Sequence, residues 1–257
     1  MNKIFILVIL SSIIGYNAVA QQMGVSLFAG PTVNIVKYND FNTFAESYND
    51  VNGYDLKLSK VGTGFSTGGD LFYDFFYFGF YYNKLNISSN SVRINDFSNR
   101  KFDIGLTSYN SNIGFNFGNG PISISPYVVL GINDVDLDAY VEYFRKYKTY
   151  GNYKLDGTYS GRNILVGFGA KVNLFYKIFF ASLSLTKTYS VMPTAAIHDF
   201  GKKGDPVLGG GYTEIATDWD TFTSVNSWDY SGKYISSSNK QFIIQLSLGI
   251  FIGDSNN

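Results

Sequence analysis

Along most of the chain, bulky apolar residues alternate with small or polar ones at a period of two, the signature of strands with two unlike faces. Ile164, Val166, Phe168, Ala170, Val172 and Leu174 share one face, with Leu165, Gly167, Gly169, Lys171 and Asn173 between them. Phe242, Ile244, Leu246, Leu248, Ile250 and Ile252 repeat the pattern against Ile243, Gln245, Ser247, Gly249 and Phe251. Phe76–Asn83, Ile122–Ile132 and Phe179–Thr186 behave likewise. Three further strands are expected. Val25, Leu27 and Ala29 mark the first, and a Gly-rich one runs from Val61 to Leu71 with Phe65 and Leu71 opposite Asp70. In the third, Phe102, Ile104 and Leu106 fall out of phase with Ile113, Phe115 and Phe117. That phase flip predicts a β-bulge near Ser108–Ser111.

The connections alternate in length. Tyr73–Phe75, Gly118–Gly120 and Tyr176–Lys177 are short, whereas Lys37–Lys57, Ser88–Arg100, Asp134–Gly161 and Ser190–Asn239 are long and polar. An up-and-down barrel with turns at one rim and loops at the other behaves this way. The expected fold class is therefore all-β: an up-and-down antiparallel transmembrane β-barrel of about eight strands, or ten if loop hairpins also cross, with long extracellular loops. Tyr140, Tyr143, Tyr147, Tyr150, Tyr153 and Tyr159 suggest a hairpin prolonging the fifth and sixth strands, and Thr213–Thr223 with Ser227–Tyr234 a second one.

The first residues follow another rule. Lys3, the apolar run Ile4–Ile14 and the small-residue site Ala18-Val19-Ala20 read as a signal peptide over residues 1–20, with Gln21 opening the mature chain. The run is shorter than the ~20 residues of a helical span. Residues 21–257 then form one domain. They contain no cysteine, which excludes a disulfide framework, a thiolate metal site and a lipidated N-terminal Cys. Net charge is zero, so no field recruits nucleic acid. Aromatics reach 18 %, through 21 Tyr and 23 Phe.

Alternation alone does not say which face looks inward. With the bulky face inside, the interior of an eight-stranded barrel, just wide enough for side chains, would be crowded. Its exterior would also be poor in charge. Turning the bulky face toward lipid resolves both problems, and closure satisfies the backbone there. On this reading Phe72, Tyr73, Phe75, Phe76, Phe117, Phe175 and Tyr176 form a girdle at the turn rim, with Tyr82 and Tyr189 near the loop rim. Asp70, Asp103, Lys171 and Lys101 would face the lumen.

The leader, the opening Gln21-Gln22, the first strand Gly24-Val25-Ser26-Leu27-Phe28-Ala29-Gly30 and the closing Ile243-Ile244-Gln245-Leu246-Ser247-Leu248-Gly249-Ile250-Phe251 resemble the PorT-like outer-membrane β-barrel proteins of Bacteroidetes. The resemblance implies residence in the outer membrane of a Gram-negative bacterium, contact with its lipid, and recognition of the closing strand by the barrel-assembly machinery. Six residues follow Phe251, where many such barrels end on the aromatic.

No enzyme site, cofactor site or metal site is expected. The one histidine, His198, precedes Asp199, and adjacent side chains on an extended loop point apart. Asp134, Asp136 and Asp138 would share one side of a strand, with Glu142 beyond, but lack the Gly and terminal Glu of a calcium loop. Gly201-Lys202-Lys203-Gly204 lacks the strand and the Ser/Thr of a phosphate loop, and Gly209-Gly210-Gly211 reads as loop. Three roles remain: a structural or binding barrel whose Tyr-rich loops touch an envelope protein or an extracellular ligand, a small channel for hydrophilic solutes, and a soluble periplasmic lipocalin-like barrel holding an apolar ligand.

Overall fold

The computed structural model describes residues 22–38, 45–46, 49, 54–118, 121–144, 147–149, 157–191, 201–202 and 239–255. The expected signal peptide, His198, Asp199, Gly209–Gly211 and the hairpin expected over 213–234 lie outside them. The strands are β1 (Gln22–Tyr38), β2 (Val61–Asp74), β3 (Phe76–Ser88), β4 (Val92–Asn95), β5 (Ser98–Phe115), β6 (Ile122–Tyr143), β7 (Tyr147–Thr149), β8 (Gly157–Tyr176), β9 (Phe179–Val191), β10 (Gly201–Lys202) and β11 (Asn239–Ser255). All pairings are antiparallel. β1, β2, β3, β5, β6, β8, β9 and β11 form a ring of eight, each bonded to the next and β11 closing on β1 from Gln22↔Ser255 to Tyr38↔Asn239. The shorter strands β4 and β7 prolong the loop-side hairpins of β3–β5 and β6–β8, and β10, from the β9–β11 connection, pairs with β8.

The turns are as short as expected. Asp74 and Lys177 take φ of 57° and 55°, and Gly118, at φ 147°, occupies backbone space that a side chain would strain. Both described ends of the ring, Gln22 and Ser255, lie at this rim, paired with each other. At the opposite rim β6 and β8 pair upward as far as Ala139↔Gly157, so the extension expected from the tyrosines is present where the chain is described, with Tyr150 and Tyr153 outside the described residues.

The faces settle the inside-out question. Ile164, Phe168, Val172 and Leu174 are exposed on β8, as are Ile122, Ile124, Val128, Leu130 and Ile132 on β6. Between them Asn163, Lys171 and Asn173 are buried. Around the ring this outer belt includes Val25, Leu27, Val33 and Ile35 of β1 and Ile244, Leu246, Leu248 and Ile250 of β11. Soluble monomers rarely expose contiguous apolar patches beyond ~600 Å², whereas this belt runs around the ring. It is a surface for hydrocarbon.

The bulge expected near Ser108–Ser111 is absent. β5 pairs without a register shift with β3, from Phe76↔Phe115 to Ser88↔Asp103, and with β6, from Ser98↔Tyr143 to Gly114↔Tyr127. What changes is the medium. Within the belt Tyr109, Ile113 and Phe115 point outward and Ser108, Asn110 and Asn112 point in. Beyond it the order reverses: Phe102, Ile104 and Leu106 point in, each fully buried, while Lys101, Asp103 and Thr107 lie outside. β6 inverts at the same level, from Ile132 outside to Asp134, Asp136 and Asp138 outside, with Val135, Leu137 and Ala139 now buried. Lys101 and Asp103 therefore do not face the lumen, contrary to the sequence expectation. Their strand has left the bilayer, and its wet side is the outer one.

An arginine at Val128, mid-belt, should cost about 2–4 kcal/mol in a bilayer. On a water-facing surface the same change stays within about 0.5 kcal/mol. Reversible urea unfolding of Val128→Arg in vesicles, beside Asn86→Arg at an exposed site beyond the belt as the control, separates the two cases.

Candidate functional site

The lumen is filled in three layers. At the turn rim Phe72, Phe175, Phe180 and Phe251 meet ring to ring, Phe175 standing 4.8 Å from Phe251, 5.4 Å from Phe180 and 5.6 Å from Phe72. Phe72 and Phe175 are thus buried inside rather than in the girdle expected of them, whereas Tyr73, Phe75, Phe76 and Tyr176 are exposed at that rim. Each misplaced ring lies one residue from an exposed partner (Tyr73 or Tyr176), and at a period of two that neighbour has to face the other way.

Next to this plug sits a buried ion pair, Lys171 with Asp70, bonded Nζ to Oδ2. Asp70 Oδ2 also accepts the Ser26 hydroxyl at 3.0 Å, and Oδ1 accepts those of Tyr77 at 3.0 Å and Tyr81 at 2.8 Å. The two phenol oxygens also lie within hydrogen-bond distance of one another, so either phenol can donate to its neighbour in place of Asp70. The ammonium lies 4.6 Å from the Phe28 ring centre and 4.8 Å from that of Phe180, so aromatic faces take up its remaining surface. Gly79, opposite Asp70 in the ladder, makes the cluster possible. A Cβ there would stand 2.7 Å from the Tyr77 hydroxyl and 2.8 Å from Asp70 Oδ1. The sequence places Asp70 and Lys171 in the lumen, and the structure brings them together; nothing in their spacing announces the Tyr77–Tyr81 partnership.

Above the ion pair, Asn83, Asn110, Asn112, Tyr127, Thr186 and Gln245 line a small cavity. Tyr127 is bonded to Thr186 at 2.6 Å, while the amide oxygens of Asn83, Asn110 and Asn112 have no protein partner. Such a space is polar enough to hold water. The apolar top layer closes over it: Val36, Tyr38, Leu85, Ile87, Phe102, Ile104, Leu106, Val135 and Leu137, joined by Ala45 and Leu56 from the β1–β2 connection. The Asn49 side chain secures Leu56, donating to its carbonyl at 2.9 Å and accepting its N–H at 2.8 Å.

Outside that layer the β5–β6–β8 extension carries a compensated charged face. Lys101 meets Glu142 at 2.8 Å, Arg162 meets Asp134 at 2.6 Å, and Lys148 meets Asp138 at 2.9 Å and Asp103 at 3.3 Å. The alternation expected of Asp134, Asp136 and Asp138 is present, but their neighbours are cations of the protein. Among the described residues no group of three acidic or histidine side chains is arranged to hold a metal. Tyr140 donates to Asp103 at 2.7 Å beneath the Lys148 ammonium. Burial, then that carboxylate, pushes its hydroxyl above the ordinary phenol range. Desolvation would lower Lys148, yet Asp138 and Asp103 outweigh it and raise the ammonium above its ordinary value. At the tip, Phe97 and Phe144 expose a ring pair 5.5 Å apart.

No family profile matches the chain, and no curated protein matches it in sequence. Among solved structures it is similar to Ail, the attachment invasion locus protein of Yersinia pestis. Identity is 12 % with a TM-score of 0.41, over 90 % of this chain and 99 % of that one. Ail in complex with the heparin analogue sucrose octasulfate gives 11 % and 0.46 over the same shares. The outer-membrane protease OmpT of Escherichia coli gives 8 % and 0.21, over 91 % and 95 %. These are distant likenesses; the ring described above stands on its own ladders.

Removing one member of the buried pair leaves the other charged in a dry site, at about 3–5 kcal/mol. Asp70→Ala should therefore unfold far earlier in urea than the parent. Pairing Asp70→Asn with Lys171→Met should recover most of the loss. If the double variant loses the sum of the single losses, the pair is not coupled.

Proposed function

We propose that this chain is an outer-membrane β-barrel of a Gram-negative bacterium, PorT-like in type, with a structural or binding role rather than a catalytic or conducting one. The leader over residues 1–20 is removed on export, and the barrel-assembly machinery reads the closing strand. The loop rim meets a partner, an envelope protein or an extracellular ligand.

One observation carries the reading: polarity inverts at a common level on neighbouring strands, so that the apolar belt stops where charge begins on the outside and an apolar core begins on the inside. A lipocalin-like barrel has no reason for such a belt. The channel reading requires an open lumen, and here the aromatic plug, the Lys171–Asp70 pair and the apolar top layer stand across it. The long-loop His198–Asp199 pair falls outside the described residues.

Membrane extraction followed by gel migration with and without boiling tests the placement. The account predicts a membrane-bound, heat-modifiable band; a fully soluble protein that migrates identically in both states contradicts it. Planar-bilayer recording tests the role: the sealed barrel passes no steady current, and reproducible unitary conductance would reinstate the channel.

A further inference from the structure

The charged face of β5, β6 and β8 is internally paired, whereas among the described residues the lysines of the loop rim on the other side of the ring form no ion pair. There β9, β11, β1 and the start of β2 present Lys187, Lys240, Lys37 and Lys60, all exposed. Lys37 stands directly across the ladder from Lys240, and Lys187 is diagonal to it, being paired with Phe242. Lys60 joins at the end, its carbonyl bonded to the Val36 N–H at 2.8 Å. Like charges placed opposite one another in a sheet destabilise it. Among the described residues none of these lysines forms an ion pair with a carboxylate: the acidic residues of β9, β11, β1 and β2 are Asp70, in the lumen, and Asp74 and Asp254, at the turn rim, and Asp55 of the β1–β2 connection pairs with Lys57. Two residues into the belt on the same strands lie Ile35, Phe242 and Leu185, exposed and apolar.

We propose that this lysine crescent seats the phosphorylated headgroup of an outer-leaflet lipid whose acyl chains lie on the belt below. The inference rests on the membrane placement proposed above. The position selects the ligand. A group that meets Ile35, Phe242 and Leu185 with hydrocarbon and Lys37, Lys187 and Lys240 with negative charge, one strand step apart, is an anionic amphiphile. A soluble anion would satisfy the lysines alone. Phosphate oxygens suit ammonium groups as point-charge partners, and each lysine near such a surface is worth roughly a fivefold gain in occupancy.

The test uses the full mature chain, refolded into phosphatidylcholine nanodiscs doped with either diphosphorylated lipid A or its dephosphorylated form, with the lipids retained counted by native mass spectrometry. We expect the phosphorylated lipid to be enriched at least about tenfold over the dephosphorylated one. The enrichment should collapse in K37Q/K187Q/K240Q, survive in the matching Lys→Arg triple, survive in Lys57→Gln, whose lysine pairs with Asp55 in the β1–β2 connection, and fade in molar salt. Heat-modifiable migration certifies that each variant is folded and inserted, so a failure of membrane placement is distinguished from a failure of this site. Equal retention of both lipids by the parent, or undiminished enrichment in the glutamine triple, overturns the proposal. Displacement of the lipid by inorganic phosphate at millimolar concentration overturns the lipid source.

Discussion

Closure of the backbone is the constraint on which everything else here depends. Hydrocarbon offers no partner to an amide or a carbonyl, so each strand in the belt must be bonded on both edges. Eight strands achieve this only because β11 finds β1, in a ladder running from Gln22↔Ser255 to Tyr38↔Asn239. Pro31, which has no N–H to give, sits where that ladder skips two pairs between Ala29↔Leu248 and Thr32↔Gln245, with no shift of register on either side. Once the ring is closed, strand alternation gives the molecule an inside and an outside, and composition is free to match two media.

Those media change partway up the strands. β6 has 22 residues, about 70 Å of extended chain, far more than a belt ~25 Å tall requires even with tilt. Its lower half separates lipid from a mixed aromatic and polar lumen, and its upper half separates water from an apolar core. The same covalent strand thus belongs to a membrane protein below Asp134 and to a soluble one above it. The lumen below is stabilised by a mutually dependent set: Lys171 needs Asp70, Asp70 needs Ser26, Tyr77 and Tyr81, and the set needs the bare Cα of Gly79.

Much of this was legible in the sequence, because a period of two survives any global rearrangement. Ile164–Leu174 and Phe242–Ile252 name their own faces, and the short turns betray the rim they belong to. What misled was local. The flip from Leu106 to Ile113 reads as a bulge if one medium is assumed throughout, and as an inversion once two are allowed. Residue type points Phe72 and Phe175 to the girdle, although their alternation with exposed neighbours places them inside. A polar residue on a strand, as Asp103 is, reads as lumenal only while its height along the strand is ignored. The Asp70–Tyr77–Tyr81–Lys171 cluster stayed hidden because it joins residues up to 101 positions apart, and pairing across a ring follows strand order, which single-strand patterns do not reveal.

Because the chain has no cysteine, single cysteines report without background, and the inversion can be read directly along β6. With the protein reconstituted in vesicles, nitroxides on Val128→Cys, Leu130→Cys and Ile132→Cys should collide with oxygen and be shielded from a water-soluble nickel complex. Those on Asp134→Cys, Asp136→Cys and Asp138→Cys should show the reverse, the crossover falling between Ile132 and Asp134. Water-soluble quenching that is uniform from Val128 to Asp138, or a crossover displaced to the middle of the apolar run, would contradict the account of a lipid-facing belt that ends where the strand faces exchange polarity.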